Sequence, residues 1–163
     1  LTFSSALLQV IFHKAWYFSA FLLLPLMVVD LPWPQIVLGF LLMHAVSGLI
    51  LALIFQAAHV TEDTQFYEPD SQGSVENSWA IHQLKTTANF ANGGRLFSWL
   101  IGGLNYQIEH HLFPTICHVH FRPLSKIVRE TAREYNLPYY HHKTFWGALK
   151  SHFLFLHKLG RGA

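Results

Sequence analysis

The chain has 163 residues, 52% hydrophobic and only 12% charged, about half the charged share usual for a soluble domain. Of its eleven basic and nine acidic side chains only Lys14 and Asp30 precede residue 61, which excludes a disordered chain, a basic nucleic-acid-binding arm and an ordinary soluble enzyme. A single cysteine excludes a disulfide framework or a cysteine-ligated metal cluster, while 12 histidines outnumber the lysines and arginines. The composition is that of one membrane module with a histidine-rich polar part.

Residues 6–29 form the first expected transmembrane helix, interrupted by His13 and Lys14, with Pro25 expected to kink its far end. Asp30–Gln35 is too short for anything but a tight reversal, and Pro32 and Pro34 suit a helix start. The second expected span, 35–58, contains the run Ile36–Phe55, whose polar side chains are His44 and Ser47. At about 1.5 Å per residue that run covers roughly 30 Å, the thickness of a bilayer's hydrocarbon core. Ala45, Gly48 and Ala52 make a small-residue stripe suited to close helix packing. The two spans predict an antiparallel transmembrane hairpin. Eight of the eleven basic residues follow residue 117, which places both chain ends and the polar half on the cytoplasmic side.

Residues 61–78 carry five acids (Glu62, Asp63, Glu68, Asp70, Glu76) and no base, and read as a loop leaving the membrane. The stretch 79–114 is expected to hold interfacial helices: Trp79–Phe90, stopped by Asn92-Gly93-Gly94, then Leu96–Leu104, too short to span. Residues 115–163 read as a basic cytosolic helical tail. Its first helix carries the stripe Leu124, Ile127, Val128, Thr131 and Tyr135, and its last is an amphipathic Phe145–Leu159 suited to a membrane interface. The expected fold class is an all-α integral membrane protein.

The sharpest chemical signal is Gln107-Ile-Glu-His110-His111-Leu-Phe-Pro114. On a helix, Gln107, His110 and His111 stand at i, i+3 and i+4 on one face, with Glu109 and Leu112 turned away and Pro114 ending the helix. Imidazoles so spaced suit iron, zinc or copper, or are polar residues of an interface. His59 stands at the cytoplasmic end of the second span, a functional candidate or a headgroup contact. His44, about 22 Å along the same helix, is too far to share a metal with His59 and reads as a packing histidine or a substrate-tunnel wall. His82 is open between metal ligand, support to a ligand and plain surface. His118, His120, His141, His142, His152 and His157 are expected to be mostly solvated.

Residues 107–114, preceded by Gly102-Gly103-Leu-Asn-Tyr106, resemble the third histidine box of membrane fatty acyl desaturases. The likeness is to the front-end, linoleoyl-CoA-desaturase-like branch, in which glutamine replaces the first histidine of that box. Trp79-x-x-His-Gln-Leu-x-x-Thr87-x-Asn89 and Ala-Ala-His59 are similar to the segments that precede it. The resemblance implies a non-haem di-iron oxidase that uses O₂ to insert a cis double bond into an acyl-CoA or acyl lipid. Its electrons would come from a cytochrome b5 or a ferredoxin-type donor. It also implies His110, His111 and His59 as iron ligands and Gln107 acting on iron directly or through water. The family's His-x-x-x-His and His-x-x-His-His boxes do not occur in residues 1–163, so the chain is expected to be a C-terminal fragment whose partner is the missing N-terminal half. The expected setting is a bacterial inner membrane or the endoplasmic reticulum. Competing readings are a related lipid hydroxylase and, in a different class, a haem-binding electron carrier using His13 and His59.

Overall fold

The computed structural model describes residues 3–75 and 77–162; Glu76 of the acidic loop lies outside them. The chain divides into two compact units, one up to Ile50 and one from Leu51 onward.

In the first unit, α1 (Phe3–Phe18) continues through a π-helical segment, Ser19–Leu23, into α2 (Leu24–Val28). Pro25 explains the π segment. Its ring has no N–H and crowds the preceding turn, and the strain is relieved upstream, where the Leu24 N–H reaches back five residues to the Ser19 carbonyl. The disturbance expected at Pro25 takes the form of a change of helical register over Ser19–Leu23. Val29 turns extended, and α3 (Trp33–His59) begins with Pro34 in its first turn. Phe3–Val28 and Trp33–His59 are both long and apolar enough to cross a membrane, and none of the most apolar stretch of either is buried.

His44 is held at both ring nitrogens. Its Nδ1–H donates to the Phe40 carbonyl at 2.8 Å, so Nε2 is the acceptor for the Tyr17 hydroxyl, also at 2.8 Å. Tyr17 and Phe18 further pack on the Phe40 ring, at centroid separations of 6.3 and 5.9 Å. Both nitrogens are thus committed to packing. Tyr17→Phe strands Nε2 in an apolar setting, with an expected loss of about 1 kcal/mol, read as a lower melting temperature in detergent.

In the second unit, the last turns of α3 supply Ile54, Ala57 and Ala58 to a core shared with Phe90, Ala148 and Leu149. The alanines let neighbouring backbone approach closely, and both are fully buried. The Thr64 hydroxyl donates to the His59 carbonyl at 3.0 Å, closing the helix end. α4 (Trp79–Thr86) stops earlier than expected. Thr87 is extended, and Ala88–Phe90 forms a strand, β1, paired in parallel with β2 (Tyr140–His142), with Asn89 opposite His141. The fold is therefore mostly helical, with this two-stranded sheet added to the expected helices.

Next come α5 (Arg95–Leu100), α6 (Gln107–Leu112), a 3₁₀ turn at His118–His120, α7 (Phe121–Glu134) and α8 (Phe145–Gly160). α6 ends before Pro114, as its ring requires. α7 buries Val128 and Ala132 against Leu84 and Ile108 in a second core. The segment after residue 115 is built into this unit. His152 Nδ1 donates to the Val60 carbonyl at 2.7 Å, Ser151 Oγ accepts from the Glu62 N–H at 3.0 Å, and Lys158 pairs with Glu62. His152 is buried and His141 and His142 are half-buried, which corrects the expectation of a solvated set; His118, His120 and His157 are exposed.

Candidate metal centre

α6 carries the motif, and its placement is fixed from its other face. Asn89 on β1 accepts the Ile108 N–H on Oδ1 at 3.0 Å. Its amide donates one hydrogen to Glu109 Oε2 and the other to the Tyr139 hydroxyl oxygen, both at 2.7 Å. The Tyr139 O–H donates in turn to Glu109 Oε1 at 2.8 Å. Asn89 and Glu109 are fully buried and Tyr139 half-buried, and each polar side-chain atom of the triangle has a partner, which makes it rigid. Burial raises the Glu109 carboxyl above its ordinary range, opposed by these donors and by Arg129. Burial, and next the Glu109 charge, keeps the Tyr139 hydroxyl protonated far above neutral pH, so it remains a donor. The Arg129 guanidinium lies 5.1 Å from the centre of the Tyr139 ring. The sequence reading missed Asn89, Glu109 and Tyr139 as positioning groups. The available signal was a Glu turned away from the histidine face of its motif with no lysine or arginine in its helix.

With Glu109 turned inward, the opposite face of α6 presents Gln107, His110 and His111. The His111 ring stands 4.9 Å from the His59 ring and 5.7 Å from that of His110. His110 also packs edge-on to Phe121 at 6.2 Å. Burial, aided by its two imidazole neighbours, pushes His111 down to about 4. It is therefore neutral at physiological pH, the state in which a ring nitrogen offers a lone pair. Gln107 lies next to His59, fully buried, with neither Oε1 nor Nε2 in a well-formed hydrogen bond. A buried amide in that state costs free energy and asks for a further partner.

His59 and His111 face a cavity of about 290 Å³ that His82, Gln83, Thr86 and Tyr67 also line. His82 Nδ1 is buried without a partner, and its ring lies 5.5 Å from Tyr67. The structure thus gathers His59, Gln107, His110 and His111, sets His82 on the same cavity, and leaves His44 in the other unit. As a test of fit for a metal, the donor types suit iron and the orphaned amide suits a missing neighbour. Among the described residues no group of three or more His, Cys, Asp or Glu converges well enough to hold an ion by itself.

The family model for fatty acid desaturases matches residues 3–143. The chain belongs to the fatty acid desaturase family. It is 37% identical over 131 residues to the sn-1 linoleoyl-lipid 6-desaturase of Synechocystis sp., covering 80% of this chain and 36% of that protein. It is 38% identical over 146 residues to the enzyme of the same name from Arthrospira platensis, covering 90% and 39%. To the acyl-lipid (8-3)-desaturase of Physcomitrium patens it is 44% identical over 115 residues, covering 71% and 24%. The chain thus spans between a quarter and two fifths of the length of these relatives. No solved structure matches it.

Proposed function

We propose that this chain supplies the third histidine box and a helix-end histidine of an O₂-dependent, non-haem di-iron desaturase that places a cis double bond in an acyl chain on a lipid or CoA. The observation carrying this reading is the meeting of His59, from the end of α3, with His111 of α6 at 4.9 Å beside the fully buried Gln107 amide. Family membership and the names of the relatives support it.

In this reading His59, His110 and His111 are nitrogen donors, Gln107 binds directly or through water, and His82 is a further donor across the cavity. Iron bound there would supply the oxidising power needed to take hydrogen from an unactivated methylene, with electrons from a cytochrome b5 or ferredoxin-type donor. The chain's own residues do the rest. Imidazoles resist oxidation, and the Asn89–Glu109–Tyr139 triangle fixes the donors' direction. The remaining ligands come from a segment carrying the two other boxes, such as the longer relatives have room for. α1–α2 and α3 cross the membrane as an antiparallel hairpin with the site on the cytoplasmic side, as the basic residues after 117 favour. His44, bonded at both nitrogens, serves packing in this scheme rather than a tunnel.

The test is product analysis. The complete enzyme containing this chain, expressed in a host that lacks the product and supplied with unsaturated fatty acids, should yield acyl chains lighter by two hydrogens. Gain of one oxygen would move the reading to a lipid hydroxylase. No change in any acyl chain would overturn it.

A further inference from the structure

A second cavity, of about 150 Å³, shares no lining residue with the one that His59 and His111 face and lies between α5, the turn after it and the start of α7. Its lining carries one sign of charge. Arg95, Arg122 and His118 face it together with Asn92, Tyr106 and Trp99, and no carboxylate of the described residues lines it. The Asn92 side chain is the telling part. Its Oδ1 and Nδ2 are both buried and neither is in a well-formed hydrogen bond, although the side chain lies against the Tyr106 hydroxyl, which donates to the Asn92 backbone carbonyl at 2.9 Å. An amide that has exchanged water for so poor a contact is costly, and a ligand in the cavity would restore what it lacks.

The wall is built rather than accidental. Gly103 sits at φ +75°, and a Cβ there would meet the His118 Cβ at 2.6 Å, so a side chain at 103 would push His118 away from the turn. On the same short helix Leu96, Trp99 and Leu100 are exposed, as is Val119 beside His118. An apolar rim next to a cationic hollow is the arrangement that a lipid surface meets, with apolar side chains in the acyl region and guanidinium groups at headgroup level.

We propose that this cavity binds the phosphate ester of the acyl carrier, either a phospholipid headgroup or coenzyme A. Guanidinium forks match phosphate oxygens two at a time, and a phosphate is compact enough for the space between them. The proposal rests on the reading that the enzyme acts on carrier-bound acyl chains. It would place the carrier's anionic end on α5 and α7 and leave the histidine cluster for the chain.

The test is calorimetric titration of the complete enzyme in neutral maltoside detergent with three probes: dihexanoylphosphatidate, coenzyme A and inorganic phosphate. Arg95→Gln combined with Arg122→Gln should weaken binding at least about tenfold, since each lost charge-assisted contact alone approaches that. Arg95→Lys with Arg122→Lys keeps the charge and should fall between, which guards against a folding defect. Lys150→Gln, on α8 outside the cavity, should bind as the unaltered enzyme does. Tight binding of phosphatidate alone supports the site and names a phospholipid as the carrier; tight binding of coenzyme A alone supports it and names a thioester. Similar binding of all three supports it with the phosphate as the whole determinant. Binding that is absent, unchanged in the double glutamine variant, or equally weakened by Lys150→Gln would overturn it. Neither iron nor turnover enters the readout, so failure here leaves the desaturase reading standing, and failure of that reading leaves this binding measurable.

Discussion

Alanine at His110 or at His111 in the complete enzyme should abolish desaturation, by at least about a hundredfold, and lower bound iron in parallel. The two residues sit on one face of a six-residue helix whose other face is locked by Asn89, Glu109 and Tyr139. Truncating either ring removes a nitrogen donor without disturbing the lock, so the fold should persist by circular dichroism while iron is lost. His157→Ala is the control, because that residue is exposed near the end of α8. Equal iron and turnover in all three variants would remove the basis for the site.

Glu109→Leu should destabilise the second unit by about 3 kcal/mol or more. Leucine is nearly the right size, so the loss is not one of packing. It leaves the Tyr139 hydroxyl without an acceptor and one Asn89 amide hydrogen without one, both inside the protein. Glu109→Gln should cost less, since its carbonyl can still accept from one of the two donors while its own N–H₂ faces the other. Thermal unfolding followed by circular dichroism reads the order leucine, glutamine, wild type in rising stability. The same variants should loosen iron, because α6 loses the anchor opposite its histidines. Stability unchanged by Glu109→Leu would refute the positioning role.

How much of this was legible in the sequence depended on the range of the interactions. α3 and α7 follow from hydrophobic patterning and the end of α6 from Pro114. The one-face placement of Gln107, His110 and His111 follows from helical spacing alone. The break in the expected Trp79–Phe90 helix does not, because β1 exists through pairing with residues about fifty positions away, and three residues leave no periodic signature. The Asn89–Tyr139 bond is hidden for the same reason. Pro25 announced a disturbance, but whether it would appear as a kink or a π segment depends on how the preceding turn rearranges. The basic character of residues 115–163 suggested a solvated tail. Ser151 and His152 disclose their packing against Glu62 and Val60 only in three dimensions.

Iron K-edge X-ray absorption of the complete enzyme, compared with its His59→Ala and His111→Ala variants, tests the histidine cluster most directly. A metal centre built on this cluster should show the outer-shell scattering of imidazole rings around iron in the unaltered protein and a smaller imidazole contribution in each variant, with Gln107→Ala changing it less. Iron absent from the active enzyme, or an identical iron environment in all of these proteins, would contradict it.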